Sequence, residues 1–342
     1  MEMIRIGIVG YGYWGPKLFR NFQNSPHFEV VGVADRAEDV RTRLRACFSN
    51  IEVYEDAIDL IEGGRVDAVA IATPVATHHA IAARALDAGL HVWVEKPMAA
   101  SAAEAEDLVA RARRARRVLL VDHVFLFCGA VRAIKRLMAE GALGRITYVD
   151  SVRVNLGLFQ NDVNVLWDLG PHDLSIIDFL FGEEPLHVEA TGYCHADPAH
   201  PDMCYVTLHY PSSRIAHLSL SWMSPVKVRR FVVAGDEAML VWDDLNREEK
   251  VKIYRSGIRF QPADERDLLI PEYRIGDIFS PRVSNVEPLA ALTEHFARRI
   301  RGEGSDEVDG ERGLRIVRLL ESADRALRAH LAEVAAKRRE RP

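Results

Sequence analysis

The stretch that most constrains this chain is GIVGYGYWG, in which Gly10, Gly12 and Gly15 keep a G-x-G-x-x-G spacing. It follows the apolar run IRIGIV and opens WGPKLFRNFQN, whose apolar residues recur with a helical period. In that setting the first glycine permits a tight strand-to-helix turn, and the second lets a pyrophosphate approach the backbone. The third lets helix and strand pack closely, so that the phosphates lie over the helix N-terminus. The next apolar run, FEVVGVAD, ends at Asp35, twenty residues past Gly15, where an acid accepts hydrogen bonds from ribose hydroxyls. An acid there repels a 2'-phosphate, which favours NAD. The neighbouring Arg36 keeps NADP open, since a guanidinium binds an extra phosphate or stacks on adenine.

Further along, short apolar runs keep alternating with helical patterns. DAVAIATP, HVWVEKP and RVLLVDHVF read as strands; DVRTRLRACF, THHAIAARALDAG and SAAEAEDLVARARRA read as helices. Repeated strand-helix-strand units with wholly apolar strands predict a doubly wound parallel sheet covered by helices on both faces. After His123 the pattern changes. RITYVDSVRVNLG, HVEATGYC, CYVTLHYP, RIAHLSLSW, VRRFVVAGD, AMLVWDD and KVKIYRS alternate with a period of two, and successive strands of this kind form a mostly antiparallel sheet. The fold class is α/β. A Rossmann domain over residues 1–123 is expected to precede an α+β domain with a large sheet over residues 124–342, the latter expected to serve substrate binding and oligomerisation.

Composition narrows the function. A net charge of -6 gives no general attraction to nucleic acid or to anionic membranes, and the basic run RARRARR ends a helical pattern as a solvated face. No apolar stretch is long enough to span a bilayer, and the cytoplasm is the default location. The four cysteines form neither a C-x-x-C pair nor a disulfide framework. CHADPAHPDMC carries Cys194, His195, His200 and Cys204, but its spacing fits no common zinc module, so no metal is expected.

One apolar segment carries chemistry. NVLWDLGPHDLSIIDFL places Asp168 and His172 four residues apart, one turn apart on a helix face. A carboxylate beside an imidazole can orient it and raise its basicity; the same spacing also suits an amphipathic helix whose polar side is only wet. Pro171 places the helix start near Leu169 or Gly170, with Asp168 at the N-cap.

Glu95-Lys96-Pro97 after a strand, preceded by IATPVATHHAIAARALDAGLHV, resembles the glucose-fructose oxidoreductase, inositol dehydrogenase and MocA (Gfo/Idh/MocA) family, and the resemblance extends over nearly the whole chain. It implies that Lys96 is catalytic, that Pro97 fixes the local backbone, and that the family's D-x-x-x-H segment corresponds to Asp168 and His172. It also implies that Thr73, Pro74 and His78 border the nicotinamide half of the cofactor, with Tyr13, Trp14, Glu95 and Lys96 among the cofactor contacts. Where many relatives have an Asn-x-Arg-like segment, this chain reads VDHVFLF, which makes His123 a candidate substrate contact. Arg153 and Asn155 are candidates for sugar or phosphate contacts, or are simply outward-facing sheet residues. The resemblance implies oxidation of a secondary hydroxyl: a base takes the proton while carbon delivers hydride to the nicotinamide.

GYWGPKLFRNF, LFQNDVNVLWDLGPHDLSIIDFLFG and EPLAALTEHF look most like the branch that acts on nucleotide-activated sugars in amino-sugar, polysaccharide or antibiotic biosynthesis. The 37 arginines against seven lysines suit a GC-rich genome. A free polyol or inositol dehydrogenase, an NAD-dependent glycosidase and a non-catalytic sugar sensor are the alternatives on the same scaffold. The second domain's sheet should have one face open to a second copy, giving a homodimer or homotetramer.

Overall fold

The computed structural model describes residues 2–157, 159, 163–197, 200–262 and 269–340. The first elements are β1 (Ile4–Val9), α1 (Gly15–Asn24), β2 (Phe28–Ala34), α2 (Glu38–Cys47), β3 (Glu52–Tyr54), α3 (Ala57–Glu62), β4 (Ala68–Ile71), α4 (Val75–Asp87), β5 (His91–Val94), α5 (Ala102–Ala115) and β6 (Leu119–Val121). There follow α6 (Gly129–Ala139), β7 (Ile146–Leu156), α7 (Val165–Phe181), β8 (His187–Tyr193), β9 (Met203–His209), β10 (Ile215–Ser221), β11 (Met223–Gly235), β12 (Met239–Asp243), β13 (Val251–Tyr254), β14 (Gly257–Pro262), β15 (Leu269–Arg274), β16 (Ile278–Phe279), α8 (Pro288–Ile300) and α9 (Gly310–Arg339).

Residues 1–127 and 286–321 form one compact unit, and residues 128–285 and 322–342 form another. In the first, six strands run parallel in the order β3-β2-β1-β4-β5-β6. Its central strands are buried on both faces, which is why they read as unbroken apolar runs: all four residues of β4 and the last three of β5 are buried. Sequence order assigns everything after His123 to a second domain, yet 286–321 folds back onto the first unit. The reason is aromatic. Phe296 on α8 stacks on Phe28 at 5.9 Å and meets Trp93 edge-on at 5.7 Å, closing a cluster that also holds Phe22. Each such pair adds about 1 kcal/mol beyond its burial.

In the second unit the eight-stranded order is β16-β13-β12-β11-β7-β10-β9-β8. Among the described pairings of this sheet only β7 with β10 is parallel; the others are antiparallel. The period of two sets its faces. Val149, Leu208, Val206, Ala216, Leu218 and Leu220 are buried on one side, where α7 packs against β7, β9 and β10.

The helix α7 begins earlier than the proline rule suggests. Asn164 is the N-cap: its side-chain oxygen accepts from the N–H groups of Leu166 at 3.0 Å and Trp167 at 3.2 Å. Two of the first-turn amides are thereby satisfied, so Val165 starts the helix and Pro171 falls inside it. At the other end Lys135 donates to the carbonyls of Phe179 and Leu180 at 2.8 and 3.1 Å, a cation at the negative end of the helix dipole.

Candidate functional site

Open parallel sheets bind ligands outside the carboxyl ends of their strands. On the first unit that edge gathers most of the predicted cofactor residues. After β1, Gly10 has φ of +89°, and a Cβ there would sit 2.7 Å from the Ala72 carbonyl oxygen. A Cβ on Gly12 would meet nothing within 4 Å, which leaves its backbone open to a close ligand. After β2, Asp35 accepts from the Tyr11 N–H at 2.7 Å and from the Ala37 N–H at 2.8 Å, one bond on each carboxylate oxygen. Two amides fix the carboxylate, and its remaining lone pairs are left for hydroxyl donors. Tyr13 is exposed, and the Lys17 ammonium lies 3.6 Å from its ring centre and 3.9 Å from that of Trp14. Arg36 is exposed beside Asp35. These features fit a dinucleotide, with pyrophosphate over Gly12 and the start of α1, and ribose at Asp35.

After β4, the Thr77 hydroxyl is 2.8 Å from both Thr73 Oγ1 and the Pro74 carbonyl oxygen. His78 is buried, with its ring nitrogens 2.8 Å from the Thr73 carbonyl and 2.9 Å from the Pro97 carbonyl. Its ring therefore fastens the E-K-P turn to the turn after β4, a positioning contact. The Lys96–Pro97 bond is cis. Lys96 itself is half-buried, but its neighbour Glu95 is buried beside Asp122. Burial, with the nearby Asp122, pushes the Glu95 carboxyl well above the usual carboxylate range, and burial lifts Asp122 to about 6. His123 is 1% exposed, and neither ring nitrogen has a hydrogen-bond partner among the described residues. Burial, then the nearby Arg312, lowers its pKa to about 3, so it is a neutral imidazole.

On the second unit, Asp168 lies in the first turn of α7 and His172 follows one turn later. Asp168 Oδ2 accepts from the indole N–H of Trp222 at 3.1 Å. Trp222 is buried, and the room for its ring is made by Gly157, where any Cβ would collide with the indole. Asp173, the residue after His172, is bound by Arg153 through Nε at 2.6 Å and Nη2 at 3.0 Å, and by the Ser151 hydroxyl at 3.0 Å. Arg153 is thus a buried anchor that ties α7 to β7. Asn155 lies two residues further along the same face of β7 and is half-buried. Trp222, Asp122 and Asp173 escaped sequence reading. In the 194–204 segment His195 Nδ1 is 2.7 Å from Asp202, while Pro198 and Ala199 lie outside the described residues. Among the described residues no group of three or more His, Cys, Asp or Glu side chains is placed to hold a metal, and no helix is long and apolar enough to cross a membrane.

Residues 4–123 match the oxidoreductase family with an NAD-binding Rossmann fold, and residues 131–241 match the GFO/IDH/MocA C-terminal domain. With the open backbone at Gly12 and the carboxylate at Asp35, this defines an NAD-binding oxidoreductase. The chain belongs to the Gfo/Idh/MocA family. It is 28% identical to a UDP-N-acetylglucosamine 3-dehydrogenase of Acidithiobacillus ferrooxidans over 326 residues, 93% of this chain and 95% of that one. A solved structure of that organism's UDP-N-acetylglucosamine 3-dehydrogenase superposes with a TM-score of 0.78 at 25% identity, covering 97% of this chain and all of the other. A dTDP-3,4-didehydro-2,6-dideoxy-alpha-D-glucose 3-reductase of Streptomyces violaceoruber is 32% identical over 196 residues, 54% of this chain and 56% of its own.

Proposed function

We propose that this protein oxidises a secondary hydroxyl of a nucleotide-activated sugar to a ketone, with NAD as hydride acceptor and Lys96, Asp168 and His172 as the catalytic set. The observation that carries this reading is the acid-histidine pair on one face of α7, its acid held by Trp222. The similarity to a UDP-N-acetylglucosamine 3-dehydrogenase over 93% of the chain, and to a dTDP-sugar reductase over part of it, supports the substrate class. Asp35 favours NAD over NADP, since its carboxylate repels a 2'-phosphate.

When bound, the nicotinamide supplies the hydride acceptor. His172, as neutral imidazole, takes the hydroxyl proton; Asp168 orients the ring and stabilises the imidazolium that forms. The Lys96 ammonium donates to the oxygen as its negative charge develops. These interactions strengthen in the transition state, so their loss lowers turnover more than binding.

The test is a screen of nucleotide sugars and free polyols with NAD, followed by reduced-cofactor absorbance, with variants assayed on the best substrate. Lys96→Ala and His172→Ala should each lower kcat about a hundredfold with little change in NAD affinity. The double variant should be scarcely worse than the worse single one if both serve one step. A His172→Ala protein with reduced Tm but unaltered kcat refutes the assignment.

A further inference from the structure

The lysine at position 17 breaks a local rule. It is the third residue of α1, and the first turn of a helix presents unpaired N–H groups and the positive end of the dipole, where an acid is favoured and a cation is not. α1 has no acidic residue in that turn, and Trp14 at its N-cap supplies no side-chain hydrogen bond. Arg20, on the same helix, is paired with Glu287, whereas among the described residues no carboxylate pairs with Lys17. Two rings hold its ammonium instead. Tyr13 and Trp14 meet edge to face, their centres 5.8 Å apart and their planes at 90°, and Lys17 Nζ lies over both, 3.6 and 3.9 Å from their centres. Helical side chains lean back towards the N-terminus, which is why this one covers the loop and not the helix behind it. Ring faces attract a cation without neutralising it, so a full positive charge stays in the loop that carries the open backbone of Gly12.

We propose that Lys17 is a phosphate-binding residue of the dinucleotide site, its ammonium aimed by Tyr13 and Trp14 at the cofactor's pyrophosphate. A pyrophosphate over Gly12 and the start of α1 brings the negative charge that this turn lacks, and so suits the helix and the lysine together. An ammonium is a compact charge on a flexible stem; the two rings supply the aim that the stem does not. The glycine motif accounts for backbone contacts, whereas Lys17 lies outside it and adds a side-chain charge. This role depends on the dinucleotide site alone, whichever sugar is oxidised.

Calorimetric titration of the intact chain with NAD, ADP-ribose and adenosine tests this, with the melting temperature of each ligand-free variant measured alongside. Lys17→Met keeps the apolar stem and removes the charge. It should weaken NAD and ADP-ribose about tenfold, the size of one charged hydrogen bond, and leave adenosine, which has no phosphate, unchanged. Lys17→Arg should retain most of the affinity. Raising the salt from about 0.05 M to about 0.5 M screens exposed charges and should weaken NAD binding more in the wild type than in Lys17→Met; parallel salt dependences overturn the proposal. Lys17→Glu separates binding from folding. An acid suits the first turn, so this variant should melt no lower than Lys17→Met and yet bind NAD more weakly than it does. A lysine that only braces the loop gives lower melting temperatures with wild-type affinity for NAD and ADP-ribose, and that result overturns the proposal. Unchanged NAD affinity with a raised KM for a nucleotide sugar overturns it as well, by assigning the charge to the substrate's diphosphate.

Discussion

At the scale of single residues, Trp222 is the informative one. Its indole N–H bonds the Asp168 carboxylate from a buried position, so the acid's orientation depends on a residue 54 positions away. Hydrogen bonds to charged groups contribute roughly 1.5–3 kcal/mol. Trp222→Phe keeps the aromatic bulk and removes the donor; kcat should fall at least about tenfold while NAD affinity stays the same. Unchanged kcat would show that Asp168 needs no such partner. His123 makes a different prediction. Its folded pKa, about 3, lies below the unfolded value of 6.5. Its contribution to stability is therefore complete above pH 6.5 and is lost as pH falls towards the folded pKa, by about 2 kcal/mol between pH 6.5 and 5. The raised carboxyls of Glu95 and Asp122 act in the opposite sense, gaining stability as pH falls. Comparing wild type with His123→Leu isolates the histidine: the variant's melting temperature should fall less steeply with acid, and parallel curves would contradict the burial argument. Asp168 and His172 were readable because their spacing is local and matches a helical turn. Trp222 was not, because nothing near it in the chain marks a partner across the sheet.

At the scale of elements, α7 shows which local rule prevails. Pro171 argues for a helix that starts beside it, but a proline removes a single N–H, whereas Asn164 satisfies two. Asn164→Ala should cost about 1 kcal/mol and lower the melting temperature by about 2–4 °C, with the larger value favoured because Asn164 also donates to Asp324 at 2.8 Å. No change would mean that the helix start is held by packing alone. The strands of the first unit were legible as apolar runs, and those of the second as alternation, because burial on two faces or on one writes those patterns directly. β3, with three residues, and α3, with six, are too short to show a period, and both went unread. The position of 286–321 was equally hidden, since the contacts of Phe296 with Phe28 and Trp93 are remote in sequence.

At the scale of the molecule, the second unit's sheet has one face under α7 and one without cover among the described residues. Tyr148, Ile215 and Tyr205, on three adjacent strands, are 37%, 38% and 40% exposed, and the pairings of β7, β10 and β9 place them on the same side. Such a face buries itself most simply against its own copy. Light scattering at micromolar concentration should therefore find a dimer or larger assembly, and Ile215→Asp should shift it towards monomer; a wild-type monomer would count against the pairing. The aromatic cluster of the first unit has a consequence for how the protein is made. Phe22, Phe28 and Trp93 leave the ribosome early, but Phe296 follows them only after the intervening second-unit residues have been synthesised. Until then the nascent nucleotide-binding portion has an uncovered aromatic surface, the kind that chaperones bind and that aggregates when they do not. A fragment cut after residue 127 would keep that exposure permanently. Expressed alone, it should be a poor source of isolated cofactor-binding domain.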